Sequence, residues 1–436
     1  MSDVRVGLIG FGTIGTGVVR SFVENRDALN QRLGRTVRLA RICDRDIVRG
    51  RGVDVSGIDL TTDIEDVLSA DDIDIVIELI GGYEPARSFV IRAIENGKHV
   101  VTANKALIAK YGEELFALAE QRGVALAFEA AVGGGIPCLK ALREGLAANR
   151  IESVYGILNG TCNYILTSME RDGSTFDEVL QQAQELGYAE ADPTFDIEGV
   201  DTAHKLSILS AMAFGTHIRF DDVYTEGVTS ISAGDIESAR ELGYRIKLLG
   251  IAKPHGERVE MRVHPCLVPL NAQLAQVWDS YNAVWIRGNF VEDTLYVGRG
   301  AGERPTASAV MADVLDIARG LPDCVTHLAA PMAFPQAMRR EAETLPVADV
   351  EGEYYLRLMV KDEPGVLAAV TEILAYHRIS LEALIQKERH KTQAVPIVMT
   401  THNTLEGNLR AAVARISELD SVEGEPLVLH IERFGD

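Results

Sequence analysis

An aspartate and a lysine stand one helical turn apart in the segment EGVDTAHKLSIL, at Asp201 and Lys205. A lysine can give or take a proton at a reacting oxygen, and a neighbouring carboxylate can orient it. The alternative is a surface ion pair, which contributes only about 0.3–0.5 kcal/mol. Such a pair usually occupies a polar helix face, but residues 206–214 carry no charge and predict a buried helix. The pair is therefore a candidate reactive site, and the structural ion pair stays open as the alternative.

His204 is a second candidate acid–base group because it directly precedes Lys205. Neighbouring side chains on a helix point about 100° apart, so only one of these two faces a given pocket. Helix geometry alone does not decide which of the two it is; a resemblance described below favours Lys205 and leaves His204 as a packing or supporting residue.

A glycine-rich loop, GFGTIG, follows the first apolar run and opens a helical pattern. Glycines allow a tight turn and a close approach of the backbone to a pyrophosphate, and the helix N-terminus adds amides and a positive dipole. In this context the loop predicts dinucleotide binding, although the pattern alone could also be a tight turn. The predicted contact residues are Gly10, Gly12, Thr13, Ile14 and Gly15.

The choice between NAD and NADP depends on the residues after the second predicted strand. Asp44 ends this strand and could bond a ribose 2′-hydroxyl, which favours NAD. Arg45, Arg49 and Arg51 follow and could hold a 2′-phosphate, or they could be solvated loop charges. We therefore expect the protein to use either cofactor.

Lys105 ends the fourth predicted strand. Ligands of a doubly wound sheet bind outside the carboxyl ends of its strands, so Lys105 is a candidate binding residue. A solvated loop lysine is the alternative.

The elements that position these residues alternate along the first third of the chain. Predicted strands are 3–10, 37–44, 72–82, 98–105 and 124–135, and predicted helices are 13–33, 85–97 and 112–123. The alternation predicts an α/β fold with a Rossmann-like, doubly wound parallel sheet.

The pattern changes after Gly135. Predicted strands 151–159 and 257–269 and predicted helices 160–171, 175–186, 199–214 and 233–243 indicate an α+β domain. A second glycine-rich stretch, 298–310, leads into a helix that ends at about Arg319. From residue 354 the predicted order β-α-β-β-α-β is that of a split βαβ unit.

These patterns predict four segments. They are a dinucleotide-binding domain at 1–135, completed by a helix at about 305–320; a substrate-binding and dimerisation domain at 136–320; a linker at 321–350; and a terminal domain at 351–436.

Composition restricts the partners and the compartment. The net charge of −21 argues against nucleic acid or an anionic membrane as the main partner. No signal-peptide pattern opens the chain, and no uncharged apolar run approaches the roughly 20 residues of a membrane span. Five widely spaced cysteines without a CxxC pair indicate reduced thiols, so we expect a cytoplasmic protein.

Long motifs in the middle of the chain allow a specific comparison. They are VTANK (101–105), EAAVGGGIP (129–137), GILNGTCNYIL (156–166), GYAEADPTFDIEGVDTAHK (187–205) and GAGERPT (300–306). Together, over about residues 3–320, they resemble the homoserine dehydrogenase family. DEPGVL (362–367) resembles the start of an ACT domain, which makes 351–436 a predicted regulatory domain.

The resemblance implies an activity and its control. The family interconverts L-aspartate 4-semialdehyde and L-homoserine with NAD or NADP, on the way to threonine and methionine. An ACT domain implies an amino-acid effector, with threonine as the natural candidate, and pairing into a homodimer or homotetramer. At His377 and Arg378 the chain departs from the Gly or Asn usual before the second ACT strand.

The resemblance also assigns roles to individual residues. It makes Lys205 the proton donor and acceptor, and Asp201 the residue that orients Lys205 and the substrate. Substrate contacts are expected from Glu190 and Asp196 at the ammonium, from Gly160 and Thr161 at the carboxylate, and from Lys105, which also approaches the cofactor.

Further implied contacts come from the glycine-rich motifs. Gly187 and Gly302 are expected at the cofactor, although Glu303 and Arg304 stand where small residues are frequent. A monovalent cation, commonly sodium, is expected on backbone carbonyl oxygens, which hard cations accept. The matching positions are Glu129, Val132, Gly134 and Ile136.

Two other functions compete with this interpretation. A phosphorylating semialdehyde dehydrogenase would need a cysteine nucleophile, for which Cys162 or Cys138 would have to serve. A non-catalytic sensor of amino acids or redox state would have no need of the acid cluster and Lys205.

Overall fold

A computed structural model describes residues 3–321, 329–386 and 394–434. The chain forms two compact units. The first is built from Met1–Leu158, His204–Asp222 and Tyr281–Ala342, and the second from Asn159–Ala203, Val223–Ser280 and Glu343–Asp436. Within the described ranges, no helix is long and apolar enough to cross a membrane.

The strands are listed in chain order. They are β1 (Val4–Ile9), β2 (Val37–Cys43), β3 (Asp59–Thr61), β4 (Ile75–Glu78), β5 (His99–Thr102), β6 (Leu126–Ala127), β7 (Ile151–Ile157), β8 (Tyr224–Thr225), β9 (Tyr244–His255), β10 (Arg258–Pro269), β11 (Tyr281–Gly288), β12 (Glu292–Arg299), β13 (Glu343–Thr344), β14 (Glu351–Val360), β15 (Leu381–Ile385), β16 (Val395–Thr401), β17 (Thr404–Leu405) and β18 (Val422–Ile431).

The helices follow the same order. They are α1 (Thr13–Glu24), α2 (Arg26–Leu33), α3 (Glu65–Leu68), α4 (Ala86–Glu95), α5 (Lys105–Arg122), α6 (Cys138–Lys140), α7 (Gly160–Asp172), α8 (Phe176–Glu185), α9 (Thr194–Ile197), α10 (Val200–Phe214), α11 (Ala233–Glu241), α12 (Glu303–Gly320), α13 (Val366–Tyr376) and α14 (Glu406–Ser417).

The first unit contains a six-stranded sheet in the order β3-β2-β1-β4-β5-β6. Each neighbouring pair is parallel, as the alternation of strands and helices predicts. The doubly wound fold expected from the sequence is confirmed. The order reverses between β1 and β4, and the crevice beside that reversal is where such sheets bind ligands.

Helices α1 and α12 pack together against this sheet. Val18, Phe22 and Val314 belong to the same buried cluster as Val4 and Leu8 of β1. A Cβ at Gly17 would lie 2.6 Å from the carbonyl oxygen of Glu303, so the glycine permits a close approach of the two helices.

Three strands of the first unit form an antiparallel ladder, in the order β12-β11-β7. In the second unit the strand order is β9-β10-β18-β14-β16-β15. The terminal βαββαβ domain supplies β14, α13, β15, β16, α14 and β18 around its own core. Its last strand pairs in parallel with β10, with Cys266 opposite His430.

Several elements differ from the sequence-based expectation. The helix predicted at 13–33 is two helices, because Asn25 leaves helical geometry between α1 and α2. The fifth strand shrinks to β6, after which the chain turns through a 3₁₀ helix at Glu129–Ala131. Strands β9, β11 and β12 were not predicted, and residues 322–328 of the predicted linker lie outside the described residues.

Candidate active site

The glycine-rich loop joins β1 to α1. Gly10 has φ +101°, and a Cβ there would lie 2.7 Å from the carbonyl oxygen of Leu79. A Cβ at Gly15 would lie 2.2 Å from the carbonyl oxygen of Gly10, whereas one at Gly12 would meet no atom within 4 Å. Two glycines thus close the turn, and the third leaves open space at the start of α1. This space and the helix N-terminus, which carries Thr13 and Ile14, fit the pyrophosphate of a dinucleotide.

Asp44 lies beside this loop. One carboxylate oxygen accepts the N–H of Phe11 at 2.6 Å, and the other accepts the N–H of Asp46 at 2.9 Å. The guanidinium of Arg51 lies 4.4 Å from the centre of the Phe11 ring and 3.4 Å from the Asp44 carboxylate. Arg45 and Arg49 are exposed. Each carboxylate oxygen of Asp44 therefore accepts a backbone N–H, and Arg51 places a positive charge beside the same carboxylate.

Lys105 is the first residue of α5. The side chain of Asn104 accepts the N–H of Leu107 at 3.1 Å and caps this helix. The cap fixes the turn from which Lys105 projects, at the carboxyl end of β5. Lys105 thus lies beyond the carboxyl end of β5, at the start of α5 and not at the end of a strand as predicted, and its binding role stays a prediction.

Helix α10 carries both residues of the Asp201–Lys205 pair. Asp201 is 4% exposed and Lys205 is 9% exposed, so this is not a surface ion pair. The Lys205 Nζ donates to the carbonyl oxygen of Leu158 at 2.7 Å. The ring of His204 stacks on Phe220 with 3.9 Å between ring centres. The packing of His204 agrees with its interpretation as a packing residue.

An acid cluster surrounds the amide of Asn159 in the second unit. The Asn159 side-chain nitrogen donates to Asp196 at 2.8 Å and to Asp201 at 3.0 Å. Its side-chain oxygen accepts the N–H of Cys162 at 2.8 Å and caps α7. One neutral amide therefore holds two carboxylates at the N-terminus of a helix, which is a suitable arrangement for a cationic ligand.

Thr161 belongs to the same cluster. Its hydroxyl contacts the carbonyl oxygen of Tyr188 at 2.8 Å and the Asp196 carboxylate at 3.3 Å. The amides of Gly160 and Thr161 open α7 and have no acceptor within the helix. The bridging role of Asn159 was missed by the sequence analysis, because Asp196 and Asp201 lie 37 and 42 residues further along the chain.

Other predicted contact residues lie at the surface. Glu190 is exposed, and Gly187 follows α8 with φ +75°. Gly302 is exposed before α12 with φ +117°. The two unusual residues after it pair with α1: Glu303 with Arg20 at 2.9 Å, and Arg304 with Glu24 at 3.0 Å.

The turn from Glu129 to Ile136 curls tightly. Gly133 and Gly134 have φ +72° and +53°, and a Cβ at Gly134 would lie 2.3 Å from the carbonyl oxygen of Gly300. The Glu129 carboxylate accepts the backbone N–H groups of Leu139 and Lys140 at 3.0 and 2.9 Å. Burial, with the nearby Asp313 charge, raises the pKa of Glu129 to about 8. Val132 and Ile136 are buried in this turn.

The cysteines do not resemble nucleophiles. Cys138 and Cys162 are fully buried, and burial raises the pKa of the Cys138 thiol well above its ordinary value. Cys162 Sγ lies 3.2 Å from the carbonyl oxygen of Asp196. These surroundings count against a phosphorylating semialdehyde dehydrogenase. Cys324 lies outside the described residues.

A dinucleotide loop on a doubly wound sheet and a buried lysine–aspartate helix define a nicotinamide-dependent oxidoreductase. Family models described as "Homoserine dehydrogenase, NAD binding domain", "Homoserine dehydrogenase" and "ACT domain" match residues 10–129, 137–315 and 354–421. The chain belongs to the homoserine dehydrogenase family. It therefore interconverts L-aspartate 4-semialdehyde and L-homoserine with NAD(P), in threonine and methionine biosynthesis.

Individual relatives match along the whole chain. The homoserine dehydrogenases of Neisseria gonorrhoeae and Pseudomonas aeruginosa are 47% and 46% identical, with complete coverage of both chains in each case. The crystal structure of a homoserine dehydrogenase from Thiobacillus denitrificans is 50% identical, with a TM-score of 0.94 over 100% of this chain and 99% of that chain.

Proposed function

We propose that Lys205 moves the proton in this reaction. When bound, the nicotinamide exchanges hydride with the carbon that bears the reacting oxygen. A proton must move at that oxygen, and Lys205 gives it to the aldehyde and takes it from homoserine. The observation that carries this proposal is the buried Lys205 Nζ, held at 2.7 Å by the Leu158 carbonyl oxygen on a helix that has no charged residue after Lys205.

The same proposal assigns the substrate's charged groups. Asp196 and Asp201, which share the Asn159 amide, hold the α-ammonium, and the exposed Glu190 adds negative charge. The first amides of α7, at Gly160 and Thr161, hold the α-carboxylate. Lys105 approaches both the substrate and the cofactor.

We propose that either NAD or NADP is accepted. Asp44 and Arg51 lie at the same edge of the loop, so a 2′-hydroxyl and a 2′-phosphate each find a partner. A hyperthermophilic archaeal homoserine dehydrogenase, 25% identical with a TM-score of 0.62, is described in complex with NADPH. Initial rates of homoserine oxidation, measured with each cofactor, test the activity and the preference together; no reduction of either cofactor would contradict both.

A sodium ion is proposed on the backbone oxygens of Glu129, Val132, Gly134 and Ile136. The support for this proposal is the family resemblance of this turn, which positive φ angles at Gly133 and Gly134 curl tightly. The described residues contain no group of three metal-binding side chains, so such an ion would depend on main-chain oxygens.

A cytoplasmic location is also proposed. It is supported by four buried cysteines that form no disulfide in the described ranges, as expected in a reducing compartment.

The β7-β11-β12 ladder is proposed as the interface of a homodimer. Trp285 stacks on Tyr155 at 5.3 Å between ring centres, and its cross-strand neighbour is Leu295. Val297 on the same face is 50% exposed. A partly exposed apolar sheet face of this kind is typical of a surface that pairs with its own copy.

Val297→Asp should therefore shift the protein from dimer toward monomer, because it places a charge on the paired apolar faces. Light scattering at low micromolar concentration measures the mass. The matched control is Met338→Asp, a similar change at a 72% exposed residue away from the ladder. Equal masses for both variants and the parent would contradict this interface.

The ACT domain is proposed to bind threonine and inhibit the enzyme. Gly365, with φ +96°, precedes α13, whose N-terminal amides suit an amino-acid carboxylate. Arg378 adopts φ +59° in the turn where Gly or Asn is more usual. Pairing of ACT domains would extend the dimer to a tetramer.

A contact route within the second unit joins this domain to the acid cluster. Arg410 of α14 pairs with Glu226 at 2.8 Å. The backbone N–H of Glu226 donates to the carbonyl oxygen of Val263. Two residues later, the N–H of Val228 donates at 2.9 Å to the carbonyl oxygen of Ile197, the residue that directly follows Asp196. A movement of α14 can therefore be transmitted along these contacts to Asp196 of the acid cluster.

Arg410→Gln should weaken threonine inhibition by about 5- to 150-fold, the range of typical coupling free energies, with little change in uninhibited activity. Inhibition curves with homoserine and NADP provide the measurement. Arg433→Gln, which removes an exposed arginine paired with Glu353 in the same domain, is the control. If threonine inhibits Arg410→Gln as strongly as the parent enzyme, this contact route is excluded. If millimolar threonine does not change the activity of the parent enzyme, threonine is not the effector.

Point substitution is preferable to deletion of 351–436. Arg262 of β10 is buried and pairs with Glu432, which directly follows β18. Deletion would leave this buried guanidinium without one of its carboxylates, which destabilises a protein strongly.

A further inference from the structure

Glu78 is a fully buried carboxylate at the carboxyl end of β4. One of its oxygens accepts the N–H groups of Ile80 and Gly81 at 2.8 and 3.2 Å. The other oxygen accepts the hydroxyl of Thr102 at 2.6 Å. All three donors are neutral, and two of them belong to the loop that follows β4.

The hydrogen bonds continue from Thr102 to the start of α5. The N–H of Asn104 donates to the Thr102 hydroxyl oxygen at 3.0 Å. The Asn104 side chain donates to the carbonyl oxygen of Gly82 at 2.7 Å and accepts the N–H of Leu107. Lys105 therefore projects from a turn that is anchored, through Thr102, to Glu78.

The loop held by Glu78 also touches the glycine-rich loop. The missing Cβ of Gly10 leaves room for the carbonyl group of Leu79, which directly follows Glu78. Strands β1 and β4 are parallel neighbours, with Ile9 opposite Glu78. Glu78 thus lies under the ligand-binding edge of the sheet, where it joins two loops that line the edge.

Packing alone does not explain a carboxylate here. Burial of a charge is costly unless hydrogen bonds compensate, and an apolar residue would fill the same volume more cheaply. Charge-assisted bonds are shorter and stronger than neutral ones, so a carboxylate fixes its three donors more firmly than an amide.

We propose that Glu78 is a positioning residue for this dehydrogenase. It fixes Lys105 through Thr102 and Asn104, and it fixes the loop at Ile80 and Gly81 through their amides. This inference rests on the proposed role of Lys105. Misplacement of a binding group by about 1 Å can lower a rate about 100-fold, so such a residue controls catalysis without touching the substrate.

Glu78→Gln tests the proposal with little change in shape. The new amide oxygen can still accept the N–H groups of Ile80 and Gly81. The new amide nitrogen is a donor, so the Thr102 hydroxyl could no longer donate to this side chain and would have to accept a hydrogen bond from it. We expect kcat/KM for the cofactor and for homoserine to fall by about 10- to 100-fold at a temperature where the variant is fully folded. The double variant with Thr102→Val should lose little more than Glu78→Gln alone, because both interrupt one chain of bonds.

Lys98→Met is the matched control. Lys98 is also buried on this sheet, but at the amino end of β5, where it donates to the carbonyl oxygen of Ile73 at 3.0 Å. This variant should lose thermal stability and keep its kcat/KM values. If Glu78→Gln behaves like this control, with lower thermal stability but unchanged kcat/KM values, the role of Glu78 is merely structural and the proposal is overturned.

Lys105→Met separates this inference from the site assignment. If Lys105→Met lowers activity and Glu78→Gln does not, Glu78 is not a positioning residue. If Lys105→Met leaves activity unchanged, the role of Lys105 itself is wrong, and the inference fails with it.

Discussion

Lys205→Ala is expected to lower kcat by about 10²- to 10⁴-fold while the protein remains folded, because this is the usual contribution of a positioned acid–base group. The side chain is buried on α10, and the described contact of its Nζ is with the Leu158 carbonyl oxygen. Removal of Nζ costs this hydrogen bond to a neutral carbonyl group, whereas the reaction would lose its proposed proton carrier.

Two further variants separate proton transfer from charge. Lys205→Arg keeps a positive charge but cannot release a proton at ordinary pH, so its kcat should be nearly as low as that of Lys205→Ala. His204→Phe keeps a ring on Phe220 and should leave kcat within a few-fold of the parent. Steady-state kinetics and near-ultraviolet circular dichroism give turnover and fold.

Near-normal turnover in a folded Lys205→Ala variant would remove Lys205 from the mechanism. A large loss in His204→Phe, with little loss in Lys205→Ala, would transfer the acid–base role to His204.

Local patterns predicted the order of elements well. Alternating apolar strands and helices gave the doubly wound sheet, and the uncharged stretch after Lys205 predicted that α10 is buried. Both properties depend on neighbours in sequence, through strand length and helical periodicity. The break at Asn25 was missed because no proline or glycine separates α1 from α2 in the sequence.

Contacts between distant residues could not be predicted in this way. The ribose contact expected of Asp44 stays a prediction, but its bond to the N–H of Phe11, 33 residues earlier, could not be read from the local pattern. Glu78 meets Thr102 across 24 residues, and both lie in apolar strands whose sequence shows no reason for a buried carboxylate. Such pairs depend on strand register and loop path, which single-sequence periodicity does not specify.

Asp201→Asn is expected to lower kcat/KM for homoserine by about 10- to 150-fold, which corresponds to the roughly 1.5–3 kcal/mol of a hydrogen bond to a charged group. Asp201 accepts the Asn159 amide at 3.0 Å, and the substituted side-chain oxygen can keep this bond, so α7 and α10 should retain their places. The negative charge is lost, and with it the proposed attraction for the substrate ammonium.

Cofactor affinity provides the internal control. The dissociation constant of NADP, measured by fluorescence in the absence of homoserine, should stay within about twofold of the parent, because the acid cluster is assigned to the substrate. Glu190→Gln should weaken homoserine binding in the same selective way but less, because Glu190 is exposed and water screens its charge. An Asp201→Asn variant that weakens NADP and homoserine equally would indicate general disruption, and one with unchanged kcat/KM would remove Asp201 from the substrate site.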